Sequence, residues 1–342
     1  MFEEVKEIYS PRHVLEMLPL DAKLAEIKRA RDKEAAGIIA GRDKRLLVIV
    51  GPCSADNEDA VCDYVSRLKK AADKVKDKLM VIPRIYTNKP RTRGEGYKGI
   101  LHNPDPAKET DILEGIFSLR KMHIRAIGES GLSAADEMLY PENYAYVEDL
   151  LTYVTIGARS CENQQHRLVS SGIDVPVGIK NPMNGSLRVM LNSIYAVQIP
   201  NEFKYFAHQV RTGGNPFAHA ILRGSVDLNG VNVPNYHYED VLKLNELYSA
   251  AKLKNPAVII DTNHSNSDKS AAQQVRIARE VMENYRRDAG FAKYFKGFLI
   301  ESYIEDGRQD VGKQHIYGKS YTDECIGWET TERLLYEIAD KT

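Results

Sequence analysis

Residues 79–92 read Leu79-Met-Val-Ile-Pro-Arg84-Ile-Tyr-Thr-Asn-Lys89-Pro-Arg-Thr92, an apolar run that passes directly into a cationic turn. A short, continuous apolar run is what a strand buried on both faces looks like, and such strands belong to parallel sheets. The turn carries Arg84, Lys89 and Arg91, with Pro90 stiffening it. Arginine offers a planar fork that fits carboxylate or phosphate, and lysine a mobile charge that can also carry a proton. An ordinary solvated basic loop is the plain alternative. Against it stands the recurrence of the same kind of group at other strand ends.

Working outward, the same unit repeats. The pattern predicts strands at residues 46–50, 79–84, 124–129, 153–159, 175–180, 218–223, 257–261 and 298–302. Helices are expected between them at 58–78, 106–122, 141–150, 162–171, 186–197, 237–252 and 270–287, with a last one from Trp328. Eight strand–helix units in one α/β chain favour a (β/α)8 TIM barrel. A doubly wound sheet is the alternative, but the turn after the first strand, Gly51-Pro-Cys-Ser54, is not a glycine-rich phosphate loop. Residues 1–45 are charged and loosely amphipathic. They are expected to hold a helix at 23–40 and to pack outside the barrel as an N-terminal extension, leaving 46–342 as the barrel domain. Residues 199–217 read as an inserted hairpin or loop.

Composition bounds the function. The 342 residues are 43% hydrophobic and 28% charged, with a formal net charge of −1. No global basic field argues for nucleic acid, and the longest clean apolar run is far short of the roughly 20 residues of a membrane span. The charged N-terminus lacks the apolar stretch of a secretory signal. Cys53, Cys62, Cys161 and Cys325 form no CxxC pair. They do not make a disulfide framework, which points to a reducing cytoplasm.

In a barrel the C-terminal strand ends converge on one mouth. The expected ends carry Cys53, Arg84, Glu129, Arg159, Lys180, Arg223, Asp261 with His264, and Glu301. Four cations sharing a mouth repel one another unless an anion lies between them, so a substrate with carboxylate and phosphate groups is expected. Cys53, His264, Glu301 and Asp323 form a mixed S/N/O donor set that suits a divalent transition metal, although dispersed ligands have no diagnostic spacing.

Several of these segments resemble one family. The Gly51-Pro-Cys-Ser54 turn, Lys89-Pro-Arg-Thr92, Ile156-Gly-Ala-Arg159, Val177-Gly-Ile-Lys180 and Ile221-Leu-Arg-Gly224 are similar to motifs of the 3-deoxy-D-arabino-heptulosonate 7-phosphate (DAHP) synthases. So are residues 261–267, Phe298-Leu-Ile-Glu-Ser302 and the tail from Tyr317 to Trp328. The resemblance covers essentially the whole chain, in the larger class I form with an N-terminal extension. One departure is Ala55-Asp56-Asn57, where Ile-His-Asp is more usual.

The resemblance implies a metal-dependent aldol-type synthase that joins phosphoenolpyruvate to D-erythrose 4-phosphate, the first step of the shikimate pathway. It implies one divalent metal ion (Mn, Fe, Co or Zn) held by Cys53, His264, Glu301 and Asp323. Arg84, Arg159, Lys180 and Arg223 would cradle phosphoenolpyruvate, with Lys98 and Glu137 nearby. Lys89, Pro90, Arg91 and Thr92 would bind the sugar phosphate close to Asp261, with Lys89 as proton donor. A homo-tetramer, built as a pair of dimers, is also implied. Relatives of this form are commonly inhibited by an aromatic amino acid. Ile173, Asp174 and Phe203 match the wall of that cavity. The acids that help capture the inhibitor in those relatives have no counterpart at the start of this chain. Asp174, if buried, either binds the ammonium group or marks a closed cavity, so weak or absent inhibition is expected. The sibling 3-deoxy-D-manno-octulosonate 8-phosphate synthase has Lys-Ala-Asn-Arg-Ser at the sugar turn, where this chain has Lys89-Pro-Arg-Thr92. A catalytically silent phosphometabolite-binding subunit would need a missing ligand or cation, and none is missing.

Overall fold

The computed structural model describes residues 1–91, 93–312 and 315–342; Thr92, a residue of the expected sugar turn, lies outside them. Eight parallel strands alternate with helices: β1 (Leu46–Gly51), β2 (Leu79–Pro83), β3 (Ala134–Glu137), β4 (Leu151–Ile156), β5 (Val177–Lys180), β6 (Ala218–Leu222), β7 (Val258–Asp261) and β8 (Phe295–Glu301). Their spatial order is β2-β1-β8-β7-β6-β5-β4-β3. A parallel bridge between Arg84 and Ala135 joins the two ends, so the sheet closes into a (β/α)8 barrel.

The strands read as unbroken apolar runs because both faces are covered. Within β1, Leu47 and Ile49 pack into the barrel interior with Met80, Ile82, Tyr153, Ile259 and Leu299. Their neighbours Leu46, Val48 and Val50 face the surrounding helices. The interior is a packed core and not a pore.

The helical extension departs from expectation. Helices α1 (Pro11–Met17) and α2 (Ala22–Ile39) precede the barrel. Ala35, Ile38 and Ile39 of α2 belong to the same buried cluster as the inward-facing strand residues. Thus α2 packs against the barrel interior and does not lie apart from the main body. Arg31 donates to the Val81 carbonyl (2.6 Å) and Asp32 accepts from the Thr152 hydroxyl (2.8 Å), pinning the helix at two strands.

The other correction concerns the third unit. Residues 124–129, expected as a strand, belong to a long helix, α3 and α4 being Glu58–Val75 and Ile112–Ser130. Buried Ile116, Leu119, Met122, His123, Ala126 and Ile127 recur at helical spacing. Gly131, at φ 71°, ends the helix by returning its amide to the Ile127 carbonyl. The true third strand, Ala134-Ala-Asp-Glu137, is short and half polar, so no apolar run announces it. Its exit residue is Glu137, not Glu129, whose side chain is exposed and pairs with Arg125.

The helix expected at 141–150 is one turn, Pro141–Tyr144. The insertion is an antiparallel hairpin, Glu202–Tyr205 with His208–Arg211. Asp174 is exposed, so the argument from a buried acid at that position falls. Among the described residues no helix is long and apolar enough to cross a membrane.

Candidate active site

At the C-terminal ends of the strands lies a cavity of about 300 Å³. Arg84, Lys89, Pro90, Arg91, Glu137, Arg159, Lys180, Arg223, Cys53, His264 and Asp323 line it. Asp261 and Glu301 are fully buried and pair with lining residues. Lys98 is not part of the lining; its carbonyl accepts from the Lys89 amide (2.9 Å).

The cations are not simply opposed across empty space. Arg84 leaves β2 with its guanidinium over the Tyr86 ring, 3.8 Å from the centroid. It donates to the Pro52 carbonyl and to Glu301 Oε1 (3.0 Å). Burial works against its charge, but Glu301 and the other groups around it together outweigh the burial and its pKa rises. Lys180 Nζ lies 3.2 Å from Asp261 and 3.7 Å from Glu137. Arg223 donates to the Ser265 hydroxyl (3.2 Å), and burial lowers its pKa. Around the cavity Arg84, Lys89, Arg91, Arg159, Lys180, Arg223 and Lys269 face Glu137, Asp261, Glu301 and Asp323, an excess of three positive charges with Cys53 and His264 neutral.

Cys53, Glu301 and Asp323 can bring one ligand atom each within 4.8 Å of one another. His264 stands beside them, Nε2 being 3.9 Å from Glu301 Oε1. Its Nδ1 is 2.8 Å from Asp261 Oδ2, yet neither atom is in a hydrogen bond, so the approach is a misaligned one. Burial lowers the His264 pKa; the imidazole is neutral near pH 7, the form that binds metals. Asp261 is held well below the usual carboxylate range despite its burial. Lys180 and Arg223 are among the cations that do this.

Lys89 Nζ lies 2.7 Å from Cys53 Sγ and 2.9 Å from Asp323 Oδ2. Burial and Glu301 push the Cys53 thiol up to about 11. Near pH 7 the free thiol is therefore protonated, and the carboxylates Asp323 and Glu301 hold the raised pKa of Lys89 against its burial. A thiol, two carboxylates and a neutral imidazole form a donor set for a borderline divalent transition metal, so the residues fit the expected ion.

Residues outside the sequence reading also shape the site. Tyr86 donates to Thr155 (2.7 Å) and supports Arg84 from below. Asn263 donates to Glu301 Oε2 (2.6 Å) and fixes its rotation. Lys269 reaches Asp323 Oδ1 (3.0 Å). His264, Asp268 and Lys269 all have left-handed backbones (φ 54°, 54° and 59°), local strain of the kind stored at functional loops. Tyr86 sits two residues past Arg84, which puts both on one side of an extended chain, and that spacing was available in the sequence. The φ values were not.

The whole chain has close counterparts. A family model described as "DAHP synthetase I family" matches residues 23–336. A Haemophilus influenzae protein named phospho-2-dehydro-3-deoxyheptonate aldolase is 37% identical over 99% of this chain and 92% of its own length. The Escherichia coli K12 Phe-sensitive protein of that name is 36% identical over 99% of this chain and 95% of its own. A solved structure of the Francisella tularensis protein superposes with a TM-score of 0.93 at 31% identity, covering 100% of this chain and 98% of that one. With the barrel, the cation-lined mouth and the thiol–carboxylate cluster in place, these matches settle the lineage: the chain belongs to the DAHP synthetase I family.

Proposed function

We propose that this protein condenses phosphoenolpyruvate with D-erythrose 4-phosphate and water, giving 3-deoxy-D-arabino-heptulosonate 7-phosphate and phosphate. The observation that carries the reading is the joining, in one cavity, of a cation cradle (Arg84, Arg159, Lys180, Arg223) to the Cys53–Glu301–Asp323 cluster. The names of the relatives point to the seven-carbon product, and the motif resemblance supplies the two substrates.

In this reading the cradle binds the carboxylate and phosphate of phosphoenolpyruvate, and Asp261 and Glu137 hold Lys180 in place for it. Arg91 and Pro90 take the sugar phosphate, with Thr92 assigned by its place in the turn alone. C3 of the enol ester attacks the sugar aldehyde, and Lys89 gives a proton to the aldehyde oxygen. Water adds at C2, and C–O cleavage releases phosphate. Holding both substrates face to face removes most of the entropic barrier. Cys53, His264, Glu301 and Asp323 would hold the divalent ion, which supplies Lewis acidity when bound. With Asp323 and Glu301 engaged as ligands, Lys89 would lose the carboxylates that retain its proton. Four buried free thiols fit a reducing cytoplasm, and the family form favours a homo-tetramer.

The test is direct. Purified protein with both substrates and Mn²⁺ should release phosphate, and EDTA should stop it. No release with erythrose 4-phosphate, or equal release with arabinose 5-phosphate, defeats the assignment.

A further inference from the structure

The barrel is thinnest between β2 and β3. Every other neighbouring pair of strands shares at least three register pairs. Across this seam the strands meet in the single Arg84–Ala135 bridge, with the Ile85 amide donating to the Ala135 carbonyl (2.9 Å). The Lys89 turn departs just beyond that weak point.

Asp136 lies where the ladder stops. It is buried, 5% exposed, and among the described residues it has no ion-pair partner. Its Oδ1 accepts from the Thr87 amide (2.9 Å) and from the Glu137 amide (2.7 Å). Its Oδ2 accepts from the Thr87 hydroxyl, whose oxygen in turn accepts from Asn88 Nδ2 (3.2 Å). Burial raises the Asp136 pKa to about 7, and donors and acceptors balance along this chain in its carboxylate form, the one present above that pH. Burying a carboxylate without a counter-ion is costly, and an apolar residue would pack here at lower cost. What the acid holds in return is the segment that ends in Lys89, and the amide of Glu137, whose side chain faces Lys180.

We propose that Asp136 is a positioning residue for the reaction: its carboxylate replaces the missing ladder across the β2–β3 seam and, through Thr87 and Asn88, sets where the Lys89 ammonium lies. This rests on the reading of Lys89 as proton donor. A residue that served stability alone would change unfolding without changing the turnover of folded enzyme. A shift of the Lys89 turn by a fraction of its length acts on turnover, since misplacement by about 1 Å costs on the order of 100-fold.

The experiment compares the full-length, Mn²⁺-loaded native protein with Asp136→Ala, Asp136→Asn, Thr87→Val and Thr87→Ser. Two quantities are read: kcat with saturating substrates, and amide hydrogen exchange along residues 84–101. Asp136→Ala and Thr87→Val should lower kcat about 10- to 100-fold and speed exchange in that segment, leaving β6 to β8 unchanged. Asn keeps the Oδ1 acceptor and Ser keeps the hydroxyl, so each should restore most of the loss. Should Asp136→Ala fail to fold, the near-isosteric Thr87→Val and its Ser partner decide the matter. Native kcat in Thr87→Val, or unchanged exchange in 84–101, overturns the proposal. Native protein that releases no phosphate overturns the reaction instead, and the exchange data then decide for or against the clamp.

Discussion

Lys89 and a metal ion would compete for the same atoms. Its ammonium touches Cys53 Sγ and Asp323 Oδ2, both of them proposed ligands. Cys53→Ala removes the soft donor, and calorimetry should show Mn²⁺ or Zn²⁺ binding weakened by at least about 10-fold. Lys89→Met should leave metal binding as tight or tighter and lower turnover about 100- to 10,000-fold, the usual range for general acid catalysis. Native turnover in Lys89→Met removes the proton-donor role. Asp56, the residue that departs from the family motif, makes a different prediction. It accepts from the Tyr303 hydroxyl (2.9 Å), its Oδ2 has no partner, and Tyr97 and Tyr321 are the other titratable groups around it. Burial raises its pKa to about 7. The folded protein thus keeps a proton that the unfolded chain loses near pH 4, so this group's stabilising contribution falls as pH climbs from about 4 to 7. Asp56→Asn should flatten that part of the stability profile. If the native-minus-variant difference is constant over the window, Asp56 is not the buried acid described.

Elements were legible wherever one physical signal dominated. The runs 46–50 and 79–84 read as strands because both faces are covered, and the hairpin in 199–217 announced itself by irregularity. The third strand was hidden because Ala134-Ala-Asp-Glu137 has neither an apolar run nor alternation, and the neighbouring helix end, Ile124-Arg-Ala-Ile127, imitated one. For the same reason Glu129 took a place that belongs to Glu137. The role of α2 was hidden differently: Ala35, Ile38 and Ile39 have their partners in the barrel interior, contacts too distant in sequence to be read from periodicity. Of the site, the strand-end cations and the candidate donor set were legible from the strand ends themselves, with motif resemblance adding their expected roles, while the pairing of Arg84 with Glu301 and the left-handed backbone at 264, 268 and 269 required geometry. Close approach of β1 and the β2 exit yields a test. A Cβ on Gly51 would lie 2.3 Å from the Arg84 carbonyl oxygen and 3.0 Å from its amide nitrogen. Backbone cannot swing aside, so Gly51→Ala should cost about 1–3 kcal/mol by overpacking and weaken phosphoenolpyruvate binding by moving Arg84. Native melting temperature together with native affinity would show that the two strands have room.

At the scale of the molecule, charge and apolar surface are both unevenly distributed. A chain of net charge −1 concentrates an excess of three positive charges at one mouth, which draws in anions without making the protein basic. Apolar surface is left uncovered at the opposite extreme of the sequence. Met1, Phe2 and Val5 are almost wholly exposed, at 126%, 106% and 91%. The arm that bears them is nonetheless tied down, by Lys6 to Asp111 (2.9 Å) and by the Tyr146 hydroxyl to the Tyr9 carbonyl (2.8 Å). Burying a large apolar side chain is worth about 1.5–3 kcal/mol, so an arm held in place with such residues facing outward gains most by meeting another subunit. Sedimentation at micromolar concentration should show a tetramer. Phe2→Ser with Val5→Ser should shift it towards smaller species, while the cavity, built from one subunit's strand ends, keeps its affinity for Mn²⁺. A native protein that sediments as a monomer refutes the assembly, and a tetramer indifferent to both substitutions removes the arm from its interface.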